Sequence, residues 1–167
     1  MEFEIREVGP DEAELLASII RDAFQDVARR FDLTPENCPT HPSNCTPEWI
    51  HMALGKGARY FLLRTGEGPC GCAALRKADE EKGYLERLSV LPAYRRRGLG
   101  RALVQRVTAE AKVLGLKRLE IGIIAGQLEL KAWYEDLGFQ LKETARFKHL
   151  PFEVALMGKN LRDGQPQ

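Results

Sequence analysis

A chain of 167 residues, 44% hydrophobic and 29% charged, has room for one domain with a real core and not for two of ordinary size. Its net charge of +1 gives no overall attraction to nucleic acid or acidic membranes, so any anion binding must be local. The opening Met1-Glu2-Phe3-Glu4-Ile5-Arg6 lacks the apolar run of a signal peptide, and no apolar stretch is long enough for a membrane span.

Phe3–Val8 alternates weakly and predicts a first strand. Gly9-Pro10-Asp11 then opens a helix whose Leu15, Leu16, Ile19, Ile20, Ala23, Phe24 and Val27 form one apolar stripe. A loop rich in Pro, Asn, Thr and Ser runs from about Asp32 to Cys45. Within it Cys38, His41 and Cys45 could be sketched as metal ligands, but a fourth ligand is missing. Cys70 and Cys72 have no zinc spacing either, so the four cysteines read as reduced intracellular thiols and no metal is expected.

Thr46-Pro47-Glu48 is a strong helix start, with a capping hydroxyl, a proline in the first turn and an acid near the positive end. That helix carries Trp49, Ile50, Ala53 and Leu54 and stops at Gly55. Arg59–Arg64 and Cys70–Arg76 predict strands joined through Gly66-Glu67-Gly68-Pro69, and Tyr84–Val90 follows the turn Asp79–Gly83. The period then changes: Leu99, Leu103, Val107, Ala111 and Leu114 share a helical face, ended by Gly115. Arg118–Ile124 predicts a strand, Leu128–Leu137 a helix, and Phe139–Phe147 and Phe152–Met157 the last strands. The order β-α-α-β-β-β-α-β-α-β-β is most economically a mixed α/β sheet with helices on both faces. One domain over residues 1–160 with a short polar tail over 161–167 is expected.

Between the strand Tyr84–Val90 and the next helix lies Leu91-Pro92-Ala93-Tyr94-Arg95-Arg96-Arg97-Gly98-Leu99-Gly100-Arg101-Ala102. A strand that leads through a glycine-bearing turn into a helix can aim successive N–H groups into one concavity at the helix's positive end. A dinucleotide fingerprint would need another glycine where Leu103 stands, and an NTPase loop would need Gly-Lys-Ser/Thr. A plain solvated basic turn is the competing reading.

Here the sequence resembles the GNAT superfamily of acyl-CoA-dependent N-acetyltransferases. The family signature Gln/Arg-x-x-Gly-x-Gly/Ala is met by Arg95, Gly98 and Gly100, after the family-like strand and turn Leu85-Glu86-Arg87-Leu88-Ser89-Val90-Leu91-Pro92. A second motif, Tyr-Glu-x-x-Gly-Phe, stands as Tyr134-Glu135-Asp136-Leu137-Gly138-Phe139. The resemblance implies a mostly antiparallel GNAT-like sheet of about seven strands.

It also implies acetyl-CoA as acyl donor, with its pyrophosphate on the amides of Arg96 to Arg101 in the loop Arg95–Ala102. The pantetheine would pair with the backbone of Leu88, Ser89 and Val90. Gln127 takes the place where the family often has an asparagine for the pantetheine, so its contact is the weaker expectation. Direct attack by an amine needs a base and an acid. Glu86 is the candidate base, directly or through water, unless it merely pairs with Arg76 or Arg87. Tyr134 is the candidate acid toward the departing thiolate. His41, Asn44, Trp49, His51, Phe147 and His149 are candidate acceptor-lining residues by family position. The acceptor expected is a small-molecule amine. A protein or peptide amine, or an inactive acyl-CoA-binding sensor, are the alternatives. No nucleic-acid or membrane partner is expected, the location expected is cytoplasmic, and a homodimer is compatible with family habit.

Overall fold

The computed structural model describes residues 2–161. Apart from Leu161, which is buried and donates its N–H to the Lys117 carbonyl at 2.9 Å, the expected tail lies outside the described residues. The elements follow the predicted order: β1 (Phe3–Val8), α1 (Ala13–Arg30), α2 (Pro47–Gly55), β2 (Arg59–Thr65), β3 (Gly68–Lys77) and β4 (Lys82–Val90). Then come α3 (Leu99–Val113), β5 (Arg118–Ile124), α4 (Leu128–Asp136), β6 (Gln140–Arg146) and β7 (Glu153–Asn160). Three short 3-10 turns, Pro10–Glu12, Pro42–Asn44 and Pro92–Tyr94, were not legible as elements. Each begins at a proline, whose fixed φ and missing N–H suit a tight turn.

The seven strands are hydrogen-bonded in the order β1-β2-β3-β4-β5-β7-β6. β1/β2, β2/β3, β5/β7 and β6/β7 are antiparallel, as expected for a mostly antiparallel sheet. β4/β5 is parallel, and its register covers only Lys82–Tyr84 against Arg118–Glu120. Register also explains the largest boundary difference. β7 runs on to Asn160 because Met157, Gly158, Lys159 and Asn160 pair with Ile121, Glu120, Leu119 and Arg118, so polar residues are drawn into the strand. Phe139, expected in β6, instead ends the turn after α4 and is buried.

Two compact units make up the chain, Met1–Arg76 with Leu85–Val107, and Lys77–Tyr84 with Thr108–Gln167. In the first, Leu16, Ala17, Ile19 and Ile20 of α1 bury the predicted stripe with Ile50 of α2 and Tyr60, Leu62, Cys72 and Ala74 of the sheet. α2 starts as its sequence demands: the Thr46 hydroxyl accepts the N–H of Trp49 at 3.3 Å, satisfying one free amide of the first turn. In the second unit Leu119, Ile121, Phe139 and Met157 are buried. Its edge strand β6 is exposed and carries Lys142, Glu143 and Arg146, charges that discourage edge pairing.

Candidate active site

The first unit holds the strand and loop on which the sequence argument turned. β4 does not run straight: Arg87 has φ +54, a left-handed residue inside a strand, and Ser89 Oγ donates to the Arg87 carbonyl at 2.9 Å. An L-residue there costs about 1 kcal/mol or more. β3 lies close behind. The Leu91 N–H donates to the Cys70 carbonyl at 2.9 Å, and a Cβ on Gly71 would stand 2.8 Å from the Ser89 carbonyl oxygen. Gly71 is thus required by backbone approach, a need the sequence did not reveal.

After the 3-10 turn the backbone is extended at Arg95, left-handed at Arg96 (φ +64) and left-handed again at Gly98 (φ +81). The first intrahelical bond of α3 runs from the Ala102 N–H to the Gly98 carbonyl. The amides of Leu99, Gly100 and Arg101 therefore have no partner inside the helix, and α3's positive end faces the same way. Nothing stands within 4 Å of where a Gly98 Cβ would be. This alternation of hands and free amides has the backbone form of an anion cradle.

The arginines divide. Arg95 is turned away from the cradle. Its Nη1 donates to Asp26 Oδ2 at 2.6 Å, its Nη2 to the Ala23 carbonyl at 2.7 Å and its Nε to the Val90 carbonyl at 3.1 Å. Burial pushes the Asp26 carboxyl up, but the Arg95 hydrogen bond and charge, together with the backbone N–H donors of Val27 and Asp26, outweigh it and leave it below the usual carboxylate range. The signature arginine thus clamps the loop to α1. Arg97 lies over the Tyr94 ring at 5.2 Å, and Arg96, Arg97 and Arg101 are exposed.

Glu86 is held by a two-pronged ion pair: Arg76 Nε and Nη2 donate to its two oxygens, each at 3.0 Å. Among the acceptor-lining candidates of this unit, Trp49 lies under the Arg87 guanidinium at 5.5 Å. Asn44 Nδ2 donates to the Cys38 carbonyl at 3.2 Å, and His51 is exposed. His41 is buried, its Nδ1 2.8 Å from Ser43 Oγ and its ring edge-on to Phe24, and burial lowers its pKa. Those contacts describe a packed histidine. Among the described residues no group of three or more His, Cys, Asp or Glu is arranged to hold a metal ion.

The second unit holds Tyr134 and Gln127. Tyr134 is 5% exposed, with its ring edge-on to Trp133 and to Phe139. Burial raises its pKa, so the phenol keeps its proton. The motif has a structural reason: Gly138 takes φ +98 to end α4, and the Phe139 N–H returns to the Tyr134 carbonyl at 3.1 Å. Lys159 Nζ donates to the Leu137 carbonyl at 2.8 Å and closes the turn. Gln127 precedes α4, and its side chain caps no amide there. Phe147 and His149 are exposed and pair at 6.0 Å.

Residues 14–139 match the model of the Acetyltransferase (GNAT) family, three quarters of the chain and both motifs. The chain belongs to the GNAT family of acetyltransferases. Over 101 residues, 60% of this chain and 68% of its relative, it is 31% identical to the [ribosomal protein bS18]-alanine N-acetyltransferase of Escherichia coli. In fold it resembles the PaiA N-acetyltransferase from Thermoplasma acidophilum, solved in complex with coenzyme A. The TM-score is 0.80 at 16% identity, over 96% of this chain and 99% of that one. A GNAT family acetyltransferase from Elizabethkingia anophelis with acetyl-CoA bound aligns with TM-score 0.64 at 17% identity, over 95% and 97% of the two chains. Among the described residues of this GNAT acetyltransferase, no helix is long and apolar enough to cross a membrane. What sequence reading missed in it is Arg87: the residue was read, but its left-handed turn leaves no mark in local composition.

Proposed function

We propose that the chain transfers the acetyl group of acetyl-CoA to a primary amine of a small molecule by direct attack, in the cytoplasm where coenzyme A thioesters are available. The observation that carries this reading is the cradle from Arg96 to Arg101, whose left-handed turns and free helix-start amides suit a diphosphate. The charge of Arg96, Arg97 and Arg101 supports it, and two fold relatives were solved with coenzyme A or acetyl-CoA.

We assign the backbone of Leu88, Ser89 and Val90, past the end of the parallel register, to the pantetheine. An amide there would stabilise charge that appears on the thioester oxygen only as the amine attacks. Glu86 serves as base through a water: its two-pronged pairing with Arg76 fixes its oxygens for a relay. Tyr134, which holds a proton as a phenol, donates it to the departing thiolate. Gln127 contributes its side-chain amide to the pantetheine.

The test is an acetyl-CoA turnover screen against amino acids, polyamines, aminoglycosides and short peptides, following thiol release. Acetylation of at least one small amine is expected. Acetylation of peptide N-termini alone would favour the second reading, a protein amine as acceptor, which the likeness to the bS18-alanine enzyme supports. Cofactor binding with no acceptor acetylated would favour a sensor.

A further inference from the structure

Six arginines of this protein pair with acids. Arg6 meets Glu12, Arg59 meets Glu7, Arg76 meets Glu86, Arg95 meets Asp26, Arg118 meets Glu120 and Arg146 meets Glu153. Arg21 and Arg87 depart from this. Both are half-buried, and among the described residues neither has a carboxylate within ion-pair distance. Arg21, on α1, donates from Nη1 to the Cys45 carbonyl at 2.9 Å. Arg87, on β4, donates from Nη1 to the Tyr60 hydroxyl at 2.8 Å and covers the Trp49 ring. The two guanidinium groups border the same short segment, Cys45 to Trp49. Burial pushes the Cys45 thiol up, and the charges of Arg87 and Arg21 both oppose it.

A half-buried cation without a counter-ion is costly, and each guanidinium keeps N–H donors that no group among the described residues uses. β4 also spends a left-handed residue on Arg87, and such strain gathers where a side chain must be aimed at a ligand. Position says which ligand. Under the proposed transferase reading, on which this inference rests, the diphosphate cradle follows Val90 and the pantetheine runs back along Val90, Ser89 and Leu88. Arg87 then stands at the reacting end, next to Glu86, where the acceptor and not the nucleotide must lie.

We propose that Arg87 and Arg21 bind a compact anionic group, a carboxylate or a phosphate, carried by the acceptor amine. A fork of N–H donors suits either anion, and the Trp49 face beneath Arg87 holds the guanidinium plane in place.

The experiment compares matched acceptors with acetyl-CoA: L-amino acids against their amides, and phosphoethanolamine against ethanolamine. Wild type is expected to favour the anionic member of a pair by about tenfold or more in kcat/KM, mainly through KM. Preference in the first pairs assigns a carboxylate, in the second a phosphate. In Arg87→Met the preference should collapse toward one, Arg87→Lys should restore part of it, and Arg21→Met should reduce it. Melting temperature and the KM for acetyl-CoA report whether each variant folds. Indifference of wild type across all pairs, or equal loss on both members in Arg87→Met, would overturn the proposal while leaving acetyl transfer standing. If no amine is acetylated, the transferase reading fails by itself. Inorganic phosphate titrated against Trp49 fluorescence in a Trp133→Phe protein then decides. A saturable change lost in Arg87→Met supports the anion site, and its absence overturns it.

Discussion

Arg95 donates to Asp26 at 2.6 Å and so ties the loop after β4 to the C-terminal half of α1. The arginine of the family signature is here a strut between the loop and α1, while the backbone amides that open α3 have no partner inside the helix. Loss of the strut should loosen the cradle. Arg95→Ala is expected to raise the KM for acetyl-CoA by about tenfold, a little over 1 kcal/mol, with a smaller change in kcat. Steady-state kinetics with acetyl-CoA varied would check it, and an unchanged KM would mean the loop holds its shape by other contacts.

The same pair has a pH signature. Asp26 is held below its unfolded value, so its contribution is present above about pH 4 and is lost as pH falls through the lower folded value. The stability difference between wild type and Asp26→Asn should therefore shrink as melting is followed from pH 6 to about pH 3. A constant difference over that span would show that the ion pair does not act through Asp26's charge.

His41 titrates with the same sign over a different window. Burial lowers its folded pKa, so the unfolded chain takes up a proton that the native protein refuses. Stability from the neutral ring is complete above about pH 6.5 and declines as pH falls below it. Denaturant melts at pH 7.5 and 5.5 should show a drop in wild type that His41→Gln lacks.

Gly71 admits no side chain. Its Cβ would meet the Ser89 carbonyl at 2.8 Å and Leu103 at 3.3 Å, and backbone yields poorly. Gly71→Ala should cost about 1–3 kcal/mol and weaken acetyl-CoA binding, because it pushes on the strand assigned to the pantetheine. Urea denaturation with cofactor titration would measure both, and an unaffected variant would show that β4 can shift freely.

Tyr134→Phe keeps the ring against Trp133 and Phe139 and removes only the hydroxyl. We expect kcat to fall by about 100-fold, with little change in the KM for acetyl-CoA. Glu86→Gln should behave likewise if the carboxylate relays a proton. Wild-type turnover in either variant removes that residue from the mechanism.

Local chemistry made most of the architecture readable. Apolar spacing marked α1 and α3, the Thr46 hydroxyl marked the start of α2, and Gly138 marked the end of α4, because each acts on its own few residues. The cradle was legible for the same reason: a strand, a glycine turn and a helix start are consecutive in the chain. Pairing across distance was not. β7 reaches Asn160 only because β5 offers partners, and Gly71 matters only because Ser89 folds against it from 18 residues away. Arg95 was read within the cofactor loop, and the partner of its side chain, Asp26, lies 69 residues earlier where no local pattern points to it. Sequence by itself determined the family, the order of elements and the place of the glycine turn at the start of α3. Tertiary structure decided which charges stay paired and which, like Arg87 and Arg21, are left open, since a charge finds or lacks its partner only once distant segments meet.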